Sequence, residues 1–237
     1  MSTVRIERRF RGPPESGNGG YVAGLVAAAL GSSNCTVTLK APPPIDEDLT
    51  LTTDDVTATL AQDDSVLVTA SSEAVDIDVP PAPTLADAQD AEPRFTGHHR
   101  HIFPGCFVCG PERGDGDGMR IFPGPLHDKA NRVAATWTPD ETVSDGQGRV
   151  RPEFLWAALD CPGYFAAEDK AGMALLGRMS AVLHRPVQVG EPLIVTGWPI
   201  ETHGRKHRVG SALHDANGEV VAAATATWIT LNGERAA

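Results

Sequence analysis

The sequence predicts an α+β protein in which two antiparallel sheets, each wrapped around a central helix, are fused in one chain of 237 residues. A Pro- and Ala-rich segment divides the chain, and each side of it contains one apolar helical segment. Each helical segment is followed by strand-like runs of Val, Thr and Leu with short polar turns. A buried helix followed by such strands is typical of a sheet that curves around the helix.

The composition is that of an ordinary globular protein, and it limits the partners. The formal net charge of −11 argues against nucleic acid, because phosphate binding relies on Lys and Arg. The longest nearly apolar stretch, residues 21–30, is about half as long as a membrane-spanning helix. Four scattered cysteines do not form the disulfide framework of a secreted scaffold. We therefore expect a cytoplasmic protein that binds neither nucleic acid nor membrane.

A linker is expected between the two halves. Residues 79–94 combine Pro, Ala and acids without alternation and without a strong helical stripe, which is typical of a linker. We place the N-terminal half at residues 1–78, the linker at 79–101 and the C-terminal half at 102–237.

One apolar helix is predicted in each half. The first covers residues 19–30 and the second residues 152–167, where Pro followed by Glu is favourable in a first turn. Both segments are apolar nearly all round, so both helices should be buried.

The segments after the two helices match each other, which indicates an internal duplication. Residues 40–52 align without a gap on residues 184–196 and share Pro, Glu, Leu and Thr at equivalent positions. Further on, QDDSVLVTASSEAV matches HDANGEVVAAATATWI in its polar turn and following strand. Proline before a polar turn and a strand is common in unrelated α+β proteins, so chance similarity stays open as an alternative.

Two glycines stand at the start of the first helix. Gly19 and Gly20 follow Asn18 where the backbone N–H groups of a helix lack partners, and such a start can receive a negatively charged oxygen. The glycines can equally form only a tight turn. Asn18-Gly19-Gly20 before an apolar helix resembles the His-Gly-Gly segment of hotdog-fold thioesterases, which include the PaaI-like and 4-hydroxybenzoyl-CoA groups.

This resemblance implies a double hotdog fold and a role for each residue of the segment. The N–H of Gly20 would polarise the thioester carbonyl. Asn18 would hold the attacking water or the carbonyl, although it stands where many relatives have His. Ser16 is an alternative donor.

The same families carry a catalytic acid further along the helix, nine residues after that His in the PaaI-like members. Nine residues after Asn18 lies Ala27, which has no acid, whereas nine residues after Arg151 lies Asp160. Nine residues of helix span about 13 Å, too far for one helix to supply both groups. If the helices pair antiparallel as in hotdog dimers, Gly20 and Asp160 meet at one composite site. The opposite site would lack both groups.

Asp160 is the catalytic acid that the resemblance implies. A carboxylate in an otherwise apolar helix is costly to bury without partners, which singles it out independently. It would act as a general base on water or as a nucleophile, and the sequence leaves both routes open. The alternative is a capped or solvent-facing Asp at a helix break formed by Cys161, Pro162 and Gly163.

A metal site has to be weighed at Cys106-Phe-Val-Cys109, because three histidines precede this pair. No second Cys-x-x-Cys and no His-x-x-x-His completes a set of four ligands. We therefore expect no metal and no other cofactor, and a structural role for the pair at a strand edge. Whether the pair binds a metal stays open at this point.

Substrate contacts are expected from Gly19, Tyr21 and Trp156 in an acyl tunnel and from Arg205 and Lys206 at its rim. Arg and Lys are suited to the phosphates of CoA, although a solvated turn is an equally good interpretation of such a cluster. Further candidates are Leu25 and Phe165 for the tunnel, and Arg5, Arg8, Arg9 and Arg11 for phosphate.

The interpretation that follows is an acyl-CoA hydrolase with one composite site per chain. Two alternatives remain, a hotdog-type enoyl-CoA hydratase or dehydratase and a non-catalytic protein that binds acyl-CoA or lipid. Neither predicted helix contains the His that hydratase relatives use beside their acid, which counts against the first alternative. Fused halves already form a pseudo-dimer, so the sequence neither requires nor excludes a homodimer.

Overall fold

The computed structural model describes residues 1–127 and 130–231 of the chain. Its N-terminal part contains one α-helix and five strands. They are β1 (Ser2–Arg5), α1 (Gly19–Ala28), β2 (Asn34–Leu39), β3 (Asp48–Thr53), β4 (Thr57–Gln62) and β5 (Ser65–Ser72). In β3, the buried residues Leu49 and Leu51 alternate with exposed ones, which is the two-residue period of a strand with one buried face.

The C-terminal part contains two α-helices and six strands within the described residues. They are α2 (Leu85–Ala91), β6 (Gly124–Pro125), β7 (Val133–Trp137), α3 (Pro152–Ala171), β8 (Ala174–Leu183), β9 (Leu193–His203), β10 (Lys206–His214) and β11 (Val220–Thr230). Short 3-10 helices lie at Arg8–Phe10, Glu92–Arg94, Thr96–His98 and Glu141–Val143.

The strands of the described residues form one antiparallel sheet in the order β1-β3-β4-β5-β2-β8-β11-β10-β9-β7-β6. The order β1-β3-β4-β5-β2 recurs in the second half as β7-β9-β10-β11-β8. The two sets meet where β2 pairs with β8, and there the hydroxyls of Thr36 and Ser180 share a hydrogen bond of 2.7 Å. The prediction of two sheets is therefore wrong. Pairing these two strands satisfies backbone groups that a sheet edge would leave open.

Both central helices lie where the sequence predicts them, but their ends differ. α1 ends at Ala28 instead of residue 30, and α3 continues to Ala171 instead of residue 167. Pro162 lies inside α3, so the helix break considered for this position does not occur. Proline removes one helical hydrogen bond. Close packing offsets that loss, because Gly197 on β9 leaves room for the carbonyl of Pro162 and a Cβ at Gly163 would contact Val209 on β10.

The expected linker contains a helix that the sequence analysis missed. Thr84 Oγ1 accepts a hydrogen bond from the Asp87 N–H (3.1 Å), and the Asp87 carboxylate accepts one from the Thr84 N–H (3.2 Å). This reciprocal capping box stabilises the first turn of α2. Ala88 then packs against Ala134 on β7 and Ile194 on β9. Part of the 79–101 segment is thus helical and covers the sheet.

The core lies between the sheet and the two central helices. α1 and α3 pack against each other and against the sheet. Fully buried side chains from both helices and both halves of the sheet fill this space, among them Val22, Val26, Phe154, Leu159, Leu193 and Leu213. No helix in the described part of the chain is both long enough and apolar enough to cross a membrane.

Candidate active site

Helices α1 and α3 run antiparallel and approach closely through two glycines of α1. A Cβ atom at Gly20 would lie 2.5 Å from the Cβ of Asp160 and 2.7 Å from the carbonyl oxygen of Trp156. One turn later, a Cβ at Gly24 would lie 2.6 Å from the Cβ of Trp156 and 2.7 Å from the Cα of Glu153. Residues four apart share one helix face. Gly20 and Gly24 therefore form the face through which α1 reaches α3.

Asn18 caps α1 and connects its start to α3. Its Oδ1 accepts a hydrogen bond from the Tyr21 N–H (2.9 Å), and its Nδ2 donates to Oδ2 of Asp160 (3.0 Å). Because Oδ1 of Asn18 is engaged by the Tyr21 N–H, the amide cannot be flipped, and its Nδ2 points toward α3. Asn18 is buried, as expected of a residue that joins two packed helices.

The carboxylate of Asp160 is held by one of its two oxygens. Oδ2 accepts a hydrogen bond from the Gly20 N–H (2.9 Å) in addition to the one from Asn18. Oδ1 has no hydrogen-bond partner among the described residues, and Asp160 as a whole is 1% exposed. One oxygen therefore orients the carboxylate, and the other is buried without a hydrogen-bond partner among the described residues.

The environment of Asp160 shifts its ionisation toward neutral pH. Burial raises the pKa of Asp160 to about 7, the hydrogen bond from Gly20 lowers it, the nearby Cys106 raises it, and the hydrogen bond from Asn18 lowers it. A carboxyl group with a pKa in this range exchanges its proton near neutral pH, which suits a group that takes or gives protons.

A cavity of about 260 Å³ adjoins Asp160. Asn18, Asp160 and the three cysteines 106, 109 and 161 contribute polar or reactive groups to its wall. Most of the rest is apolar and includes Leu39, Ile102, Phe103, Phe165, Leu176 and Trp228. An apolar cavity with a few convergent polar groups is the usual form of a site for a small, mainly apolar ligand.

Three buried thiols cluster beside the carboxylate. The Sγ atoms of Cys106, Cys109 and Cys161 all lie within 4.8 Å of one another, and those of Cys106 and Cys161 are 4.0 Å apart. Hydrogen bonds from the other two thiols hold the pKa of Cys106 well below its usual value, whereas burial raises the pKa of Cys109. The Cys106–Cys109 pair lies in a loop and not at the strand edge expected from the sequence.

His101 adjoins this cluster. Its Nδ1 accepts a hydrogen bond from the Phe103 N–H (3.0 Å), and its Nε2 lies 3.3 Å from the Sγ of Cys109. Burial lowers the pKa of His101, which favours the neutral ring. A neutral ring whose Nδ1 accepts carries its proton on Nε2, so His101 donates to Cys109.

The structure brings together only part of the sequence-predicted site. Asn18, Gly20 and Asp160 are in direct contact, and Gly19 lines the cavity. Tyr21 does not line it and stacks on Phe10 instead, with ring centroids 4.4 Å apart. The other predicted residues divide as follows: Ser16 and Phe165 line the cavity, whereas Trp156, Leu25, Arg205 and Lys206 do not.

The two basic clusters are largely engaged within the protein. Arg8 pairs with Asp46 (3.3 Å), and Arg9 donates to the carbonyl of Gly116 (2.9 Å). Arg205 donates to the carbonyl of Thr230 (3.3 Å), and the two neighbours of Thr230 in sequence both line the cavity. Both clusters therefore reach the cavity wall, since Arg11 directly precedes the lining residue Gly12 and Arg205 contacts Thr230 between two lining residues.

Cys161 and His101 are the residues of this site that the sequence analysis missed. Cys161 directly follows Asp160, yet its distance from the Cys-x-x-Cys pair in the chain hid the association. His101 was noted only as one of several histidines before that pair. The usable signal was the position of a third cysteine on the same buried helix as the candidate acid.

Solved structures share the fold at low sequence identity. A protein of unknown function from Alicyclobacillus acidocaldarius, described as having a hot dog fold, superposes with a TM-score of 0.63 at 13% identity, over 98% of this chain and 93% of that one. This chain has a hotdog fold. The resemblance stated from the sequence is thereby confirmed, at the level of the fold.

Two further structures agree. The TesB protein of Mycobacterium avium subspecies paratuberculosis has a TM-score of 0.60 at 13% identity, over 91% of this chain and 87% of its own. A thioesterase candidate from Novosphingobium aromaticivorans has a TM-score of 0.64 at 11% identity, over 97% of this chain and 95% of its own. No protein-family model and no curated protein sequence matches the chain.

Proposed function

We propose that the protein hydrolyses an acyl thioester of the acyl-CoA class at one composite site between α1 and α3. The observation that carries this proposal is the position of Asp160. Its carboxylate is buried at an apolar cavity, one oxygen is held by Gly20 and Asn18 from the opposite helix, and the other oxygen has no partner among the described residues. Such a fixed carboxylate next to space for an acyl group suits attack on a carbonyl carbon.

Two routes are compatible with this carboxylate. In the first, Oδ1 of Asp160 takes a proton from water, the oxygen of that water adds to the thioester carbonyl, and the thiolate leaves and is protonated. In the second, Oδ1 itself adds to the carbonyl carbon, the thiolate leaves, and water hydrolyses the resulting anhydride. Both routes use the free oxygen and keep Oδ2 on Gly20 and Asn18.

The hydrogen-bond donor for the thioester carbonyl oxygen differs from the one expected from the sequence, which was the Gly20 N–H. The Gly20 N–H donates to Asp160, so it can serve the substrate only if the carboxylate turns away. The N–H of Gly19 is the first of the helix, makes no hydrogen bond among the described residues, and belongs to a residue that lines the cavity. We assign the oxyanion to Gly19 and the positioning of Asp160 to Gly20 and Asn18.

We also infer that the chain is a double hotdog that arose by duplication, with halves at residues 1–78 and 102–237. The recurrence of one strand order in both halves supports this inference, as does the pairing of β2 with β8 at the centre. The gap-free sequence match also ends in equivalent strands, because Leu49 lies in β3 and Leu193 lies in β9. The acyl-CoA substrate would place its phosphates near Arg205 and Lys206.

The test is thiol release from short, long and aromatic acyl-CoAs by the wild type, Asp160→Asn and Asp169→Asn. Asn keeps the size of Asp160 and an oxygen for the Gly20 N–H, so the fold should persist. Loss of the base or nucleophile should lower kcat/KM at least about 100-fold. Asp169 lies on the same helix but is exposed and does not line the cavity, so Asp169→Asn should match the wild type.

The outcomes separate the function classes. Equal turnover by Asp160→Asn and the wild type would contradict the role of Asp160. Absence of thiol release, together with loss of the conjugated absorbance of an enoyl-CoA, would indicate a hydratase. Binding of acyl-CoA without any turnover would indicate a non-catalytic carrier in which Asp160 joins two helices.

A further inference from the structure

The cysteine cluster is assembled from two distant parts of the chain. Cys106 and Cys109 lie in one loop turn, which the Gly110 N–H closes by donating to the Cys106 carbonyl (2.9 Å). Cys161 comes from the middle of α3. The loop and the helix are far apart in sequence. The three sulfur atoms therefore come together through tertiary packing.

The spacing of the sulfurs fits a cation better than it fits a disulfide. A tetrahedral zinc ion with Zn–S bonds of about 2.3 Å places its sulfur ligands about 3.8 Å apart. The three Sγ atoms lie within 4.8 Å of one another, with 4.0 Å between Cys106 and Cys161. A disulfide needs sulfurs at about 2.05 Å. Small side-chain adjustments would therefore centre an ion among all three sulfurs.

Hydrogen-bond donors surround the sulfurs. The Nδ2 of Asn18 donates to the Sγ of Cys106 at 3.8 Å. His101 donates from Nε2 to Cys109. Three thiolates around a divalent cation leave one net negative charge in a buried place. These donors compensate that charge, as the outer-shell partners of metal ligands commonly do.

We propose that Cys106, Cys109 and Cys161 bind one thiophilic divalent cation of the zinc class. All three cysteines line the cavity, so a water or substrate atom can take the fourth position from that side. His101 stays outside the first coordination sphere, because coordination through Nε2 would require its proton to move to the nitrogen that accepts from Phe103. Three protein ligands and one open position are the arrangement of zinc sites that bind an exchangeable water.

The site sits directly beside the proposed catalytic carboxylate. Asn18 uses one amide group to approach both Asp160 and Cys106, and Cys161 follows Asp160 on α3. The cation would therefore fix the loop that carries residues 106 and 109 against the helix that carries Asp160. This inference does not depend on the proposed thioesterase activity, because it rests on the three sulfurs and their donors alone.

The test measures metal content in protein purified under reducing conditions without chelator. The wild type should contain about one zinc per chain, and added Co²⁺ should give thiolate-to-cobalt charge-transfer absorption with the visible bands of tetrahedral cobalt. Cys106→Ser, Cys109→Ser and Cys161→Ser should each lose most of the zinc. Cys35→Ser is the matched control, since Cys35 is a buried free thiol on β2 outside the cluster, and it should retain the full zinc content.

A second measurement on the wild type guards against variants that fail to fold. Stepwise titration of the native protein with a mercurial thiol reagent should release the bound zinc while three thiols react. Absence of zinc together with failure to bind Co²⁺ would overturn the proposal, as would a disulfide between Cys106 and Cys161 in the reduced preparation. Full zinc retention in the three cluster variants would also overturn it. None of these readouts uses a thioester, so they stand apart from the activity test.

Discussion

At both ends of the α1–α3 pair the helices approach each other about equally closely, but the two ends differ in their chemistry. At one end, the start of α1 meets the middle of α3, and Gly20 and Asn18 donate to the buried carboxylate of Asp160. At the other end, the start of α3 meets the second half of α1. There Glu153 pairs with Arg151 of its own helix start (3.3 Å), next to Gly24.

The difference shows that close packing of two helices does not by itself create a candidate catalytic site. Close approach occurs at both ends, because glycine stands at both contact positions of α1. A buried carboxylate held by the facing helix occurs only at the end where an acid sits inside the contact and the facing helix begins with N–H groups that lack helical partners. Ala27, at the position that corresponds to Asp160, has neither charge nor hydrogen-bonding side chain. We therefore expect one working site per chain.

Among the substitutions that compare the two ends, the largest effect is expected from Gly20→Ala, compared with Gly24→Ala. Both new methyl groups would meet α3 at under 3 Å, so each substitution should lower the free energy of unfolding by about 1–3 kcal/mol, measured by urea denaturation. Only the Gly20 contact includes Asp160. Displacing that carboxylate should reduce kcat/KM at least about 10-fold beyond any loss in Gly24→Ala. Equal losses of activity in the two variants would show that the position of Asp160 is unimportant.

A smaller effect is expected from Asn18→Ala, compared with Thr84→Ala. Each substitution removes an N-cap side chain and should cost about 1 kcal/mol of stability, read from thermal or chemical unfolding. Asn18 also orients Asp160, so thiol release should fall several-fold in Asn18→Ala and stay at the wild-type rate in Thr84→Ala. If Asn18→Ala kept full activity at reduced stability, Asn18 would be only a helix cap.

The smallest effect is expected at the opposite end, from Glu153→Gln. The Arg151–Glu153 pair is partly exposed, and such pairs contribute at most about 1 kcal/mol. Gln keeps the size of the side chain, so unfolding should change by about 0.5 kcal/mol or less. Thiol release should remain at the wild-type level. A clear fall in kcat/KM would mean that this end also takes part in the reaction.

Much of the fold could be predicted from the sequence because its strongest signals are local. Two apolar helices with recognisable starts, and strands rich in Val, Thr and Leu, depend on short segments. The join of the two sheets could not be predicted, since it depends on how two edge strands meet in space. The helix in the linker was readable after all, because Thr84 and Asp87 form a capping box. It was missed because the surrounding Pro and Ala residues are typical of a linker and the segment has no strong apolar stripe.

A site residue could be predicted with most support where two arguments agreed: the resemblance to hotdog-fold thioesterases and the presence of an acid in an apolar, buried helix. Asp160 met both criteria, and the start of α1 met the first. The glycine pair at positions 20 and 24 had a readable four-residue spacing, yet the interpretation of Gly20 concerned its N–H and overlooked its missing side chain. The spacing of the cysteines could not predict their cluster, because tertiary packing brings Cys161 to the loop pair, and the sequence offered only the position of Cys161 beside Asp160 as a signal.

The contact between Thr36 and Ser180 has a further consequence for how this molecule can change. In a dimer of identical chains, both central strands are encoded by the same gene segment, so every replacement appears in both copies at once. Here Thr faces Ser, and each can vary alone. If the halves arose by the duplication inferred above, joining them in one chain has released each half from the sequence of the other. The C-terminal half can then keep the carboxylate of Asp160 while the N-terminal half has Ala27 at the corresponding position, because a change in one half leaves the other unchanged.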